Sequence, residues 1–329
     1  MKVIVNLYHI KSTNGLYFYA LDYIKQLDGR ILKILVRPKL YEHIINTFPA
    51  LTVKICSWVS LVRELFSADE TNMLIYTPTP HPMPFLNNQL IVMHDFYPFN
   101  YGKYSTLKKL LLKISLASSN CRVAYINKSE MLPSILSMGI EEKRCLFAPN
   151  RFPSKLDIET RSNYKRGAIL KVALVGTDSP KKNYDELFHM IVDYNVTDKF
   201  IFYIYGHENK YYHDLCADFK SINISIINSD TVTLEQFFVN IDILVSVANH
   251  EGFGRPIAVA LLLGVPCFLL ERKVFKEFFD PGAIFYETVS EMVLEMISYT
   301  TKELPEVNFL PSSEYIMAYE NALAVLSQN

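Results

Sequence analysis

Asp242 to Leu270 reads DILVSVANHEGFGRPIAVALLLGVPCFLL, and this stretch decides the fold. The apolar run Ile243 to Val247 stops at a polar loop, Ala248 to Gly254, and a helical stretch opens at Pro256. That helix ends at Gly264-Val265-Pro266, where a second apolar run, Cys267 to Leu270, begins. Strand, glycine loop, helix and strand in that order make a βαβ unit, the building block of a parallel sheet. Pro256 suits a first helical turn, because the N–H it lacks would find no partner inside the helix there. Gly252 and Gly254 let the backbone approach a ligand, while the helix start offers unpaired N–H groups and the positive end of a dipole. In an open parallel sheet such a loop lies in the crevice at the carboxyl ends of the strands, where ligands bind. Phosphate is the ligand this geometry suits best.

Glu251-Gly252-Phe253-Gly254-Arg255-Pro256, followed by a small-residue helix and Gly264-Val265-Pro266, resembles the signature of the retaining GT-B glycosyltransferases, family 4. The resemblance implies an α/β protein of two Rossmann-like doubly wound domains facing across a cleft. In that family the first glutamate of an E-x7-E pair touches the donor sugar and the second holds the ribose. Glu251 matches the first, while the second falls on Val259, which cannot accept a hydrogen bond from a hydroxyl. Gly176-Thr177-Asp178-Ser179-Pro180-Lys181-Lys182-Asn183 resembles the family's diphosphate loop; Lys182 matches its lysine and Thr177 replaces its arginine. Arg255, where relatives usually carry an apolar residue, is a candidate for the missing cation, since its planar fork bonds phosphate oxygens in pairs. The resemblance also points to His94, after the strand Leu90 to Met93, as a group lining the cleft, and to Asn14-Gly15 as an acceptor-side loop. The plainer alternatives are solvated turn lysines at Lys181-Lys182, a strand-end His94 bonded to backbone, and a simple βα turn at Asn14-Gly15.

With 329 residues, half apolar and a fifth charged, the chain suits two globular domains of ordinary size. Five scattered cysteines without a C-x-x-C spacing predict a reduced, cytoplasmic setting without structural zinc. The opening MKVIVNLYHI reads as a first strand, its apolar run being too short for a signal sequence. Ile257 to Leu270, the longest apolar run, is broken by Gly264 and Pro266 and is too short to span a bilayer. Net charge is −1, yet residues 1–150 hold 17 basic and 10 acidic side chains against 16 and 24 in 151–329, hence +7 and −8. The basic half predicts an anionic partner. No nucleic-acid motif or dense basic run is present, so nucleic acid is not expected.

Along the first half, apolar runs at Lys2–Leu7, Ile31–Val36, Met73–Tyr76, Leu90–Met93, Arg122–Ile126 and Cys145–Ala148 read as strands separated by helical stretches. Lys103 to Leu116, KYSTLKKLLLKISL, predicts a helix with Leu107, Leu110, Leu111 and Ile114 against the sheet. Leu112 and Leu116 then lie outside beside Lys108, Lys109 and Lys113, either as stray leucines on a solvated face or as a surface for an anionic membrane. The domains are expected at 1–151 plus 313–329 and at 168–312, joined by a polar stretch without periodicity. The return of the last helix to the first domain is implied by the resemblance alone.

The expected protein moves a sugar from a nucleotide diphosphate donor to a saccharide or lipid-linked acceptor with retention, in surface polysaccharide assembly. Glu251 and His94 would be its catalytic residues. Gly176, Thr177, Lys182, Gly252, Phe253, Gly254 and Arg255 would hold the donor, with no metal and no other cofactor. Its place would be the cytoplasm, at the inner face of the membrane. The alternatives are a catalytically degenerate GT-B binding subunit and a GT-B sugar-nucleotide epimerase.

Overall fold

A computed structural model describes residues 2–27, 29–96, 99, 104–116, 120–153, 166–177 and 180–328. The chain divides into two compact units, Met1–Arg151 with Ser313–Asn329, and Phe152–Ser312.

In the first unit β1 (Val3–Asn6), α1 (Gly15–Gln26), β2 (Ile31–Val36), α2 (Pro38–Thr47), β3 (Val53–Ile55) and α3 (Trp58–Glu70) alternate. They are followed by β4 (Leu74–Thr77), β5 (Gln89–Met93), α4 (Ser105–Ser115), β6 (Arg122–Tyr125), α5 (Met131–Ser137) and β7 (Cys145–Phe147). The seven strands lie in the order β3-β2-β1-β4-β5-β6-β7, and every neighbouring pair is parallel. Helices cover both faces of such a sheet, which is why β1, β4 and β5 are buried along their whole length and apolar except for Asn6, Thr77 and Gln89 at their ends. The direction of strand addition reverses between β1 and β4. Asn14 caps α1 by accepting from the N–H groups of Leu16 and Tyr17 at 3.1 and 3.3 Å.

The second unit runs β8 (Leu170–Val175), α6 (Tyr184–Asp193), β9 (Phe200–Gly206), α7 (Lys210–Asp218), β10 (Asn223–Asn228), α8 (Leu234–Phe238) and β11 (Ile243–Ser246). It continues with α9 (Arg255–Leu262), β12 (Cys267–Leu270), α10 (Lys273–Phe279), β13 (Ile284–Tyr286) and α11 (Val289–Ser298). Its six parallel strands are ordered β10-β9-β8-β11-β12-β13, so the reversal here falls between β8 and β11. The last helix, α12 (Ser313–Gln328), belongs to the first unit. There Tyr319 donates its hydroxyl to the Asp22 carbonyl at 2.9 Å, and the Tyr315 ring meets Phe147 edge-on.

The helix after β5 is turned differently from the sequence expectation. Leu112 and Leu116 are buried, while Leu107 and Leu110 are about half exposed, at 51% and 53%. The sequence carries two leucine stripes on this helix, and its C-terminal anchor selects between them. Arg144 donates to the carbonyls of Leu116 and Cys121, fastening the Leu116 end to the neighbouring loop. The Leu112–Leu116 stripe is thereby turned inward, and these two residues cannot present an exposed membrane surface. Lys103 lies outside the described residues.

Candidate functional site

In a doubly wound sheet the loops on either side of the strand-order reversal leave a crevice at the carboxyl ends of the strands. In the second unit these are the loops after β8 and β11, and they carry Lys182 and Glu251. Lys182 Nζ lies 3.2 Å from Glu251 Oε2, with the side chains 16% and 26% exposed. The same loops are joined by a main-chain bond, Asn249 N donating to the Lys181 carbonyl at 2.9 Å. A small cavity opens between them, lined by Lys182, Tyr184, Ser246, Glu251, Gly254 and Pro256.

The loop after β8 is held from behind. Gly176 turns with φ at +92°, a conformation that suits glycine, and its carbonyl accepts from the Tyr184 hydroxyl at 2.9 Å. Thr177 is buried, donates its hydroxyl to the His207 carbonyl at 2.6 Å, and accepts at its own carbonyl from the Asn209 amide. Its hydroxyl is thus spent on tying this loop to the end of β9. Asp178 and Ser179 lie outside the described residues, and Pro180–Lys182 form a 3-10 turn that delivers Lys182 to the cavity.

The loop after β11 ends at Gly254, which caps α9 with φ at +92°. A Cβ there would lie 2.8 Å from Ile257 Cδ1 and 3.4 Å from the rings of Phe275 and Phe279. Glycine is therefore required both by the left-handed backbone and by close packing. Arg255 is the first residue of α9 and is half-buried. Phe253 is 3% exposed, its ring packed edge-on against Phe152 and Phe278 at 5.2 and 4.7 Å. Gly252 precedes it on the same loop, and only the main chain of Phe253 is left to meet a ligand. Val259 is buried within α9, so no side-chain acceptor stands at the family's second glutamate position.

One cation escaped sequence reasoning. Arg272, just beyond β12, donates through Nε to the Ala248 carbonyl at 3.3 Å and through Nη2 to Asn249 Oδ1 at 2.9 Å. It braces the loop that carries Glu251. Its position directly after the strand next to β11 was the signal that could have found it.

The first unit holds the other expected residues. His94 follows β5, is 8% exposed, and has Nε2 at 3.1 Å from the Pro78 carbonyl. Burial pushes its pKa down to about 4, with the Pro78 carbonyl opposing, so the ring is neutral near pH 7. Nε2–H is then the donor to Pro78, leaving Nδ1 as an acceptor. Asn14 spends its side-chain oxygen on capping α1, and Gly15 is the first residue of that helix. Among the described residues no group of three or more His, Cys, Asp or Glu is placed to hold a metal ion.

No family model matches the sequence, and no curated protein sequence does. Solved structures do resemble it. HepE from Anabaena, solved in complex with UDP and glucose, superposes with a TM-score of 0.69 over 100% of this chain and 95% of that chain, at 14% identity. A variant of S. aureus TarM, in complex with Fondaparinux, alpha-GlcNAc-glycerol and UDP, gives 0.66 over 99% and 96%, at 10% identity. WaaG, a glycosyltransferase involved in lipopolysaccharide biosynthesis, gives 0.63 over 99% and 95%, at 12% identity. These neighbours are GT-B glycosyltransferases, and likeness at such identity is a likeness of fold. The chain has that fold: two Rossmann-like α/β domains with parallel sheets of seven and six strands.

Proposed function

We propose that the protein transfers a sugar from a nucleotide diphosphate donor to a saccharide acceptor, with retention at the anomeric carbon. The observation that carries this reading is the Lys182–Glu251 pair, 3.2 Å apart at the strand-order reversal of the second sheet and beside the start of α9. Negative charge builds on the diphosphate as its oxygen parts from the anomeric carbon. Lys182, the loop amides and the start of α9 stabilise that charge, with Arg255 as a second cation. Once the diphosphate engages Lys182, the Glu251 carboxylate is released to bond sugar hydroxyls and to face the developing positive charge on the ring. The acceptor oxygen bonds to the anomeric carbon, and its proton passes to the departing phosphate oxygen. His94, neutral and with Nδ1 able to accept, is the group we assign to bonding a sugar hydroxyl within the first unit. Gly176, Gly252 and Gly254 shape the donor loops, and Asn14-Gly15 contribute main chain on the acceptor side.

HepE and TarM were solved with UDP, which makes UDP-sugars the first donors to try. The part WaaG plays in lipopolysaccharide biosynthesis makes surface polysaccharide assembly the setting to test first, and a lipid-linked acceptor at a membrane face is our extension of that reading. Among the described residues no helix is long and apolar enough to cross a membrane. Contact with an anionic bilayer would have to use the exposed side of α4, through Tyr104, Leu107 and Leu110. The test is a thermal-shift screen against nucleotide sugars followed by a transfer assay. A ligand at about 100 times its Kd stabilises by roughly 2.7 kcal/mol, so a true donor gives an unmistakable shift. A purified, folded protein that no nucleotide or nucleotide sugar stabilises refutes the reading.

Two observations favour a second reading, a nucleotide-binding partner subunit without turnover. Thr177 gives its hydroxyl to His207, and Val259 is buried, so two family anchors have lost their polar function. Nucleotide binding without transfer or donor hydrolysis would select it.

A further inference from the structure

The strand-order reversal of the first sheet, between β1 and β4, has its own cluster of side chains, which the donor reading does not use. His9 follows β1 and His81 follows β4, and their rings are stacked face to face, 4.2 Å apart and 3° from parallel. Arg37, at the end of β2, lies 4.3 Å over the ring of Tyr8. Tyr8 and His9 both meet the ring of Trp58, at 6.1 and 6.3 Å, and Trp58 is 52% exposed. Three polar atoms here are buried without a hydrogen-bond partner among the described residues: Arg37 Nε, His81 Nδ1 and Thr79 Oγ1. Unmade hydrogen bonds of this kind are costly, and two of them, on Arg37 over the Tyr8 ring and on His81 stacked against His9, belong to this cluster and point to an absent oxygen-rich ligand.

The charge pattern indicates what that ligand is. Burial pushes the pKa of His9 down to about 3 and that of His81 down to about 4. The fixed charges that act on them are Arg37, Lys11 and Lys108, all cations. A crevice that gathers positive charge around two imidazoles kept neutral lacks a counter-ion, and a bound anion would supply it. The exposed indole beside it offers an apolar face on which a sugar ring can lie.

We propose that this cluster binds an acidic saccharide, its carboxylate or phosphate held by Arg37 and the His9–His81 stack and its ring against Trp58. That this saccharide is the acceptor rests on the glycosyltransferase reading; that it binds here does not.

The test is calorimetry on the full chain at neutral pH, with methyl glucoside, glucuronate, glucose 6-phosphate and inorganic phosphate as ligands and UDP as control. The expected result is at least about tenfold tighter binding of an acidic sugar than of methyl glucoside, the effect of a hydrogen bond to a charged group. Whichever of glucuronate and glucose 6-phosphate binds tighter identifies the anionic group. Arg37→Gln should abolish the preference, and His81→Phe, which keeps the stacked shape, should reduce it. Trp58→Ala should weaken all three sugars, and UDP affinity should not change in any variant. Thermal unfolding of each variant establishes that it is folded. Equal binding of acidic and neutral sugars, no binding of either acidic sugar, or a preference surviving in both Arg37→Gln and His81→Phe overturns the proposal. Inorganic phosphate binding as tightly as glucose 6-phosphate overturns the saccharide part. Failure of UDP to bind the wild type sinks the donor assignment and leaves the acid-against-neutral comparison intact.

Discussion

Glu251→Gln should move two measurements in opposite directions. Without donor, the Glu251 carboxylate neutralises Lys182 at 3.2 Å, and an incoming diphosphate must break that pair. The bare Coulomb energy at this separation lies between about 1 kcal/mol in a water-like medium and about 5 kcal/mol at an effective dielectric constant near 20. Desolvation, side-chain ordering and screening reduce the net worth of partly exposed pairs to about 0.2–1 kcal/mol, and with side chains 16% and 26% exposed the upper part of that range applies. The glutamine variant should therefore bind UDP about two- to fivefold more tightly, because the Glu251 carboxylate no longer competes for Lys182 and a repelling charge is gone. Turnover should fall by about 10²-fold or more, the scale of a lost preorganised electrostatic contact in the transition state. Calorimetry with UDP and a transfer assay on the same preparation read the two effects. Weaker UDP binding together with undiminished turnover would refute the division of labour between the two residues.

Lys182→Ala and Arg255→Ala should each weaken nucleoside diphosphate binding by about 1.5–3 kcal/mol by calorimetry; no effect from either would remove the diphosphate from this loop. His94 supplies a pH test. Its pKa is about 4 in the folded chain against 6.5 for the free side chain, so the unfolded state takes up the proton first as pH falls. Its contribution is complete above pH 6.5 and is lost between 6.5 and 4, at about 1.4 kcal/mol per pH unit. Urea midpoints should fall less between pH 7 and pH 5 for His94→Gln than for wild type, and equal falls would contradict the buried neutral ring. Leu112→Ala should cost about 2–5 kcal/mol in denaturant unfolding, whereas Leu110→Ala should stay within about 0.5 kcal/mol. The reverse ranking would restore the orientation of α4 expected from sequence.

Loop chemistry was legible in the chain because glycine, proline and charge mark a strand-loop-helix junction locally. Gly254 was marked that way, whereas Lys182 and Glu251 were singled out by resemblance to a family motif. What the sequence withheld was adjacency. Nothing in residues 7–14 or 78–88 says that β1 and β4 are neighbours, so the stacking of His9 on His81 stayed hidden until the strand order was known. Arg272 was hidden for another reason: the β11–α9–β12 unit was legible, but no spacing says that a side chain after β12 reaches back to Asn249. The helix α3 was passed over for a different cause. Its buried stripe of Leu61, Leu65 and Ala68 is regular, but exposed Trp58 and Val59 at its start blur the pattern. On α4 two stripes competed, and a tertiary contact from Arg144 decided between them. Periodicity alone could not.

The position of α12 bears on how the protein is made. Unit one closes only when residues 313–328 return to it, with Tyr319 bonded to Asp22 and Glu314 paired with Lys128. A ribosome adding about 5–20 residues per second needs on the order of ten to thirty seconds to travel from Arg151 to Ser313. During that interval the first seven strands are already synthesised, but the groove that receives α12 is bare, with buried tyrosines such as Tyr23 beside it. The second unit, contiguous in the chain, has no such wait. Synthesis order and completion order are thus inverted. The segment made first is finished last, and in that window it is the part of the nascent chain most in need of a chaperone.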